Sequence, residues 1–262
     1  MGRIALQPKL LTMKKTALLI TTIIISYMAY AQNSGTVYYE EKTKLHFNIQ
    51  GDAPPPANLP TERTAHTILN FTSDASLYQN NPNEKNESGM MEEESEDGGQ
   101  VRIRMDAPDN RAYCDLKNNQ RIEQRDFMQR KFLIESDLKA PDWKITGNQK
   151  KILSYPCQEA TRQDSDRKIT VWFTAAIPIS YGPSSYTGLP GLVLEVSIND
   201  GDQTIIATSV KPGEVNAALI VKPKEGKKVT QEEFKKIVAE KMKEMGVQNG
   251  NGGNAIIRIE NH

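Results

Sequence analysis

The chain has 262 residues, with 33 Lys and Arg against 33 Asp and Glu, so its formal net charge is zero. That balance excludes a general electrostatic pull toward nucleic acid, which needs a surplus of cations. The length fits one domain, or one domain with a tail.

Lys14 and Lys15 precede an apolar run from Ala17 to Met28, and Ala29-Tyr30-Ala31 supplies a small-x-small site before Gln32. This is the plan of a secretory signal peptide over residues 1–31, with Met13 as an alternative start. The apolar run is well short of the roughly 20 residues that span a bilayer. No transmembrane segment is therefore expected in the mature chain 32–262. No cysteine follows the run, which argues against a lipoprotein anchor. The leader holds four basic residues and no acids, leaving 29 basic and 33 acidic residues, a mature net charge of −4.

Residues 35–49 alternate with period two: Val37, Tyr39, Leu45 and Phe47 share one side, and Tyr38, Glu40, Lys42, Lys44 and His46 the other. That predicts a half-buried strand. The prolines of 51–60 predict an extended linker. Strand character returns at 64–72 and 76–79. Residues 80–99 carry seven acids and one lysine, with Pro82 and three glycines. They cannot build a core and are expected to form a disordered acidic insertion. Short strands are predicted at 100–106, 111–117, 120–126 and 130–135, with Asn118-Asn119 as a tight turn. Further strands are expected at 143–146, 150–162 and 167–174, with Pro156 at a bulge or an edge.

Pro178, Pro183 and Pro190 bar a helix or a central strand after Thr174. The segment up to Gly191 is expected to be an ordered, extended crossing loop. At its end stands Gly188-Leu189-Pro190-Gly191, a backbone device with no nucleophile, base or metal ligand. Pro190 fixes its own φ and extends Leu189. A type II turn over Leu189–Leu192, with Gly191 at positive φ, is the predicted geometry. Leu192–Ile198 and Thr204–Val210 then form a hairpin around Asn199-Asp200-Gly201-Asp202. The division expected is an antiparallel β domain over 32–221, then a helix and a Gly/Asn-rich tail over 222–262. Thr230 and Glu233 fit a capping box. Phe234, Ile237, Val238, Met242 and Met245 follow at helical spacing, and Gly246 is a natural stop. AIIRI at 255–259 reads as a final short strand.

No residue is placed by a catalytic or metal motif: HExxH and G-x-S-x-G are missing. His46, His66 and His262 lack metal-type spacing, and no cofactor is implied. The cysteine pair, Cys114 and Cys157, reads as a disulfide in an exported chain, with two buried free thiols as the alternative. Trp172 and Phe173 are adjacent on one strand and must face opposite sides of the sheet. One needs cover, and the crossing loop with Tyr181 and Tyr186 is placed to give it. Trp172, Phe173, Tyr181 and Tyr186 are thus a candidate ligand groove.

TGLPGLVLEV, preceded by ITVWFTAAIPISYGPSSY and WKITGNQKKILSYPCQEAT, resembles the GLPGLI family of exported bacterial proteins. The resemblance runs from about Trp143 to Val210. Val193 replaces the isoleucine of the name, and SYPC stands where a glycine-rich GY-x-C is expected. The resemblance brings no catalytic residues. Consecutive antiparallel strands, the exported context and a helix point to a mainly β, β-rich α+β protein built on a curved antiparallel sheet or half-barrel, LolA-like by analogy, with one C-terminal helix. The functional expectation is a non-catalytic envelope protein, periplasmic, outer-membrane associated or secreted, that binds a hydrophobic ligand or an envelope partner. Two alternatives stand beside it: an envelope hydrolase or accessory domain, with Glu159 and Glu195 as the acids to inspect, and a surface-assembly subunit.

Overall fold

The computed structural model describes residues 33–45, 60–84, 86, 90–94, 100–104, 107–139, 141–165, 167–244 and 257–260. The predicted leader, the linker 51–59, Gly246, His46 and His262 lie outside the described residues. Among those described, no helix is long and apolar enough to cross a membrane.

The described residues form fifteen strands: β1 (Gly35–Lys44), β2 (Glu62–Phe71), β3 (Ala75–Asn80), β4 (Met90–Glu94), β5 (Gln100–Arg104), β6 (Arg111–Asp115), β7 (Gln120–Phe127), β8 (Arg130–Asp137), β9 (Lys144–Ile152), β10 (Tyr155–Asp164), β11 (Arg167–Thr174), β12 (Leu192–Ile198), β13 (Gln203–Pro212), β14 (Lys227–Val229) and β15 (Ile257–Glu260). Helix α1 spans Gln231–Glu244. Twelve strands make one sheet in the order β14-β8-β7-β6-β3-β2-β1-β13-β12-β11-β10-β9. It is curved, open and antiparallel throughout, except where β14 runs parallel to β8. The expected mainly β fold with one helix near the C-terminus is therefore present.

Register shows where the core lies. Val37 stands opposite Leu69 and Val210, Leu69 opposite Tyr78, Tyr78 opposite Ala112, and Val196 opposite Val171 and Ile205. Partners directly across a ladder share a face, so one continuous face carries the main core. That inner face is filled by the segment between β11 and β12. Ile177, Ile179, Tyr181 and Leu189 are buried in the same cluster as Tyr39, Phe71, Cys114 and Phe173. Each such apolar side chain contributes about 1.5–3 kcal/mol relative to exposure. A smaller cluster of Leu77, Tyr113, Ile122 and Leu133 lies on the opposite face, where Ile220 packs on it. Lys222 fastens that crossing, 3.4 Å from Asp115 and 2.9 Å from the Gln120 amide oxygen.

Four expectations need correction. First, Gly191 does not adopt positive φ; among Gly188–Gly191 only Gly188 does, at 89°. What requires glycine at 191 is space, since an added Cβ would lie 2.2 Å from the Thr174 carbonyl oxygen. The loop doubles back onto the end of its own starting strand, and Leu192 N–H then donates to Ile177 O at 3.0 Å. Second, Lys150–Arg162 is not one strand. The exposed Leu153, at φ 53°, turns the chain between β9 and β10. Alternation runs through that turn, so pattern alone did not reveal it. Pro156 pairs only toward β9, because pairing of β10 with β11 starts at Gln158; the missing N–H interrupts no second ladder. Third, the acidic segment is not wholly irregular: Met90–Glu94 is a strand that pairs with β5, and β5 pairs with β15 in a separate three-stranded sheet. A count of acids does not report on a ladder made by main-chain groups, and β4 finds its partner only a few residues further on. Fourth, Cys114 and Cys157 are free thiols, both buried. Burial pushes the Cys114 thiol up to about 12, so it stays protonated and inert.

Helix α1 begins as the sequence predicts. Glu233 N–H donates to Thr230 Oγ1 at 3.1 Å, and Thr230 N–H to Glu233 Oε2 at 2.8 Å, a reciprocal capping box. The helix docks through Phe234 on Phe127 and Phe132, with ring centroids 6.4 and 5.3 Å apart. It therefore sits beside β8, while the proline-rich loop packs by β11 and β12; the two do not share one closing layer. The reason is β14, which carries the chain to the β8 edge before the helix starts.

Gly191→Ala should destabilise by about 3 kcal/mol, because the methyl meets backbone rather than a movable side chain. Gly188→Ala should cost about 1 kcal/mol, and Gly188→Asn less, since asparagine enters the left-handed region more readily. Urea unfolding of the three variants measures this. A Gly191→Ala protein as stable as the wild type would contradict the close approach. Thr230→Ala should lose about 1 kcal/mol of helix stability, read as reduced far-ultraviolet helicity and earlier melting.

Candidate functional site

The inner face divides into an apolar half and a charged end. In the apolar half Tyr39 is fully buried, and its hydroxyl donates to the Val193 carbonyl at 2.7 Å, tying β1 to the second residue after Gly188-Leu189-Pro190-Gly191. Burial pushes this phenol well above its ordinary range. Val193 N–H donates to Tyr181 O at 2.9 Å, so one residue is gripped from both sides.

At the charged end, two walls and one loop converge. The first wall is β1, β2 and β7. Thr43 stands opposite Arg63, and Glu41 lies two residues along on the same face. Glu41 accepts from the Tyr78 hydroxyl at 3.1 Å and from Gln203 Nε2 at 2.7 Å. Burial lowers the Arg63 guanidinium below its usual range, and Glu41 partly restores it. Arg125 donates through Nε and Nη2 to Glu123 Oε2, at 2.9 and 2.6 Å. Glu123 is buried between Arg125 and Arg121. Burial pushes its carboxyl up, but the two guanidiniums outweigh that and hold it below the usual carboxylate range.

The second wall is the β10–β11 hairpin. Arg162 stands opposite Ile169, and Asp164 opposite Arg167. Asp164 lies 3.0 Å from Arg167 Nη2 and 3.7 Å from Arg162 Nη2. Arg162 stacks on the Trp143 ring, 5.0 Å from its centroid. Trp143 Nε1–H donates to the Thr187 carbonyl at 2.8 Å, which fixes the platform to the crossing loop. Between the walls stands Tyr186, half-buried at the tip of that loop. Burial pushes its phenol up, opposed by the fields of Arg167, Arg125 and Arg162, while Glu41 acts with burial. These three arginines thus lie within electrostatic reach of one hydroxyl, although they come from both walls.

The four aromatic residues expected to line one groove separate. Phe173 and Tyr181 are core, at 1% and 0% exposure. Trp172 is half-buried on the opposite side, with Lys150 Nζ 4.3 Å from its ring centroid. Only Tyr186 reaches the charged mouth. A bulge between Trp172 and Phe173, with Leu194 the extra residue on β12, lets Leu192, Val193 and Leu194 all be buried. Glu159 and Glu195 flank Trp172 on neighbouring strands. Glu195 is engaged by Lys150 Nζ at 2.7 Å through both oxygens, and Glu159 accepts from Thr146 and Asn148. His66 Nδ1 faces Glu84 at 3.2 Å. Among the described residues no three or more His, Cys, Asp or Glu side chains gather as a metal ion would require. Arg63, Arg125, Arg162 and Arg167 carried no motif; alternation of arginine with apolar residues on inner-face strands was the one signal available.

The molecule is thus an open, curved β sheet with its hollow filled by a crossing loop and a charged mouth at one end. The family model described as a protein of unknown function (Porph_ging) matches residues 161–195, which hold β11, the crossing loop and the first half of β12. No curated protein sequence matches the chain. Among solved structures, PNGF-II in its P21 crystal form aligns with a TM-score of 0.49 and 19% identity over 79% of this chain and 34% of that one. The C2 form aligns at 0.48, with 19% identity, over 79% and 33%. The chain spans about a third of the PNGF-II chain's length.

A carboxylate held below its usual range contributes stability above its unfolded value, about 4.3, and loses it as pH falls through the folded value. Wild-type stability should therefore fall below about pH 4 in part through Glu123. Glu123→Gln should start about 3 kcal/mol lower at neutral pH, with Arg121 and Arg125 left facing one another, and show a shallower acid limb. Urea unfolding from pH 3 to 7 tests both; identical acid limbs would remove Glu123 from the account.

Proposed function

We propose that this chain is an exported, non-catalytic binding protein of the bacterial cell envelope, of the GLPGLI type, and that it receives its ligand at the charged mouth. The observation that carries this reading is Arg162, stacked on a Trp143 ring that is pinned to the crossing loop beside Tyr186, with its Nε–H buried and without a hydrogen-bond partner; the fields of Arg125, Arg162 and Arg167 at the Tyr186 hydroxyl agree with it. The loop spends Ile177, Ile179, Tyr181 and Leu189 on filling the hollow, then presents one half-buried aromatic where both walls supply cations. Concave sites with a few convergent polar groups are where small ligands are held.

This shifts the expected ligand away from a wholly apolar one. Phe173 and Tyr181, two of the side chains that would have greeted a lipid, are already packed in the core. Against the hydrolase reading stands the ion pair of Glu195 with Lys150, which leaves no pair of converging carboxylates beside Glu159. Against assembly by strand addition stands β9, an edge strand with Lys144, Lys150 and Lys151, the charged type of edge that resists such pairing. Export is supported by the basic pair, apolar run and small-x-small site of residues 14–31.

Expression with the native leader, fractionation and native mass spectrometry test the proposal. The expected result is an envelope-fraction protein beginning at Gln32, carrying a bound species that is lost on mild activation. A chain of unprocessed mass in the cytoplasm would overturn export. A processed chain that never retains a ligand would overturn binding.

A further inference from the structure

Among the described residues, the mouth's guanidiniums outnumber its carboxylates. Those of Arg63, Arg125, Arg162 and Arg167 stand with two described carboxylates at the rim, Glu41 and Asp164. Glu123, the acid beneath Arg125, is shared with Arg121. Asp164 is itself shared, closer to Arg167 than to Arg162. Arg63 has no ion-pair partner within 4.0 Å among the described residues; Glu41 reaches it only through its field. The Nε–H of Arg162 is buried without a hydrogen-bond partner. A buried donor without an acceptor costs roughly 1–3 kcal/mol. Holding several half-buried like charges together adds to that cost, which an anion arriving between them would offset.

Arginine, rather than lysine, sets the geometry. A guanidinium offers five donors in a planar fork that matches two oxygens of a carboxylate or phosphate at once. Arg162 is pre-oriented by stacking on Trp143, and that ring is pinned by Thr187. Arg125 is pre-oriented by its two bonds to Glu123 and keeps donors free. Positions fixed before binding reduce the ordering cost of association. A nucleic-acid track is not the better reading, because the chain as a whole carries no cationic surplus.

We infer that the mouth binds a small, multiply charged oxyanion, a polycarboxylate or a phosphoryl compound, with Arg162 and Arg167 holding it from the β10–β11 hairpin, Arg63 and Arg125 from the opposite wall, and Tyr186 against it. This rests on the binding-protein reading and names its ligand class.

The test titrates the chain, purified from the envelope fraction, with citrate and with pyrophosphate by calorimetry. Saturable one-to-one binding of at least one probe is expected, weakened by added salt as a charge-assisted site must be. Binding of citrate alone points to a carboxylate ligand, and of pyrophosphate alone to a phosphoryl one. Arg162→Gln and Arg63→Gln should each weaken binding about tenfold, and Arg162→Lys should recover little, since it keeps charge but loses the fork. Arg125→Gln is a poor variant because it strips Glu123 of a partner, so circular dichroism must first show each variant folded. Absence of saturable binding for both probes overturns the inference, as does binding equally tight in Arg162→Gln and Arg63→Gln. If native mass spectrometry shows a neutral or apolar ligand while both anions fail, the binding-protein reading survives and this one falls; if no ligand appears and both anions fail, both fall.

Discussion

The contact on which the molecule depends is the approach of Gly191 to the Thr174 carbonyl. It closes the loop between β11 and β12 back onto the strand that launched it. Only a residue without a Cβ permits the 2.2 Å gap that a methyl would occupy. Once that closure is made, Leu192 and Val193 bond to Ile177 and Tyr181, and Tyr39 bonds to Val193 from across the sheet. The open sheet obtains a core without closing into a barrel, because its own chain supplies the filling. Proline at 178, 183 and 190 helps, since a restricted chain has less entropy to lose when it is laid down in one course.

The same closure determines where charge is tolerated. Filling the hollow with Ile177, Ile179, Tyr181 and Leu189 makes it apolar, so charged side chains on inner-face positions collect beyond that filling, where the loop presents Tyr186. Arg125 comes from β7 and Arg162 and Arg167 from the β10–β11 hairpin, yet curvature brings all three within electrostatic reach of one tyrosine. Glu123 shows how such a cluster is held: a buried carboxylate is acceptable because two guanidiniums share it. Structure and recognition thus draw on one set of residues. The loop that packs the core also carries Tyr186 and, through Thr187, positions Trp143 under Arg162.

Legibility in the sequence followed the range of the forces involved. Period-two alternation over 35–49 predicted a strand because a one-residue step flips a side chain between core and water, and the turn residues 199–202 marked the hairpin of Leu192–Ile198 with Thr204–Val210. The capping box at Thr230 and Glu233 was readable because it closes within one turn. Prolines marked the crossing loop because they remove donors wherever they stand. Reading failed where the deciding contact was distant. Gly191 looked like a turn glycine, since the neighbouring Pro190 suggested one, while the carbonyl that demands glycine lies 17 residues earlier. The turn at Leu153 gave no local warning, and the partner of β5 on its other edge, Ile257–Glu260, lies far along the chain. Trp172, Phe173, Tyr181 and Tyr186 looked alike as exposed-or-buried aromatics, but strand register and a bulge sent Phe173 and Tyr181 into the core, Trp172 to the opposite face and Tyr186 to the mouth.

By itself the sequence determined the fold class, most of the strands of the large sheet, the helix start, the leader pattern and the place of the crossing loop. All of these follow from local steric and hydrophobic rules that act within a few residues. Tertiary structure alone decided that Gly191 is needed for space rather than for φ, that both cysteines stay unbonded, and that four scattered arginines share one mouth. Those outcomes depend on the curvature and register of a twelve-stranded sheet, which join residues that the chain order keeps apart.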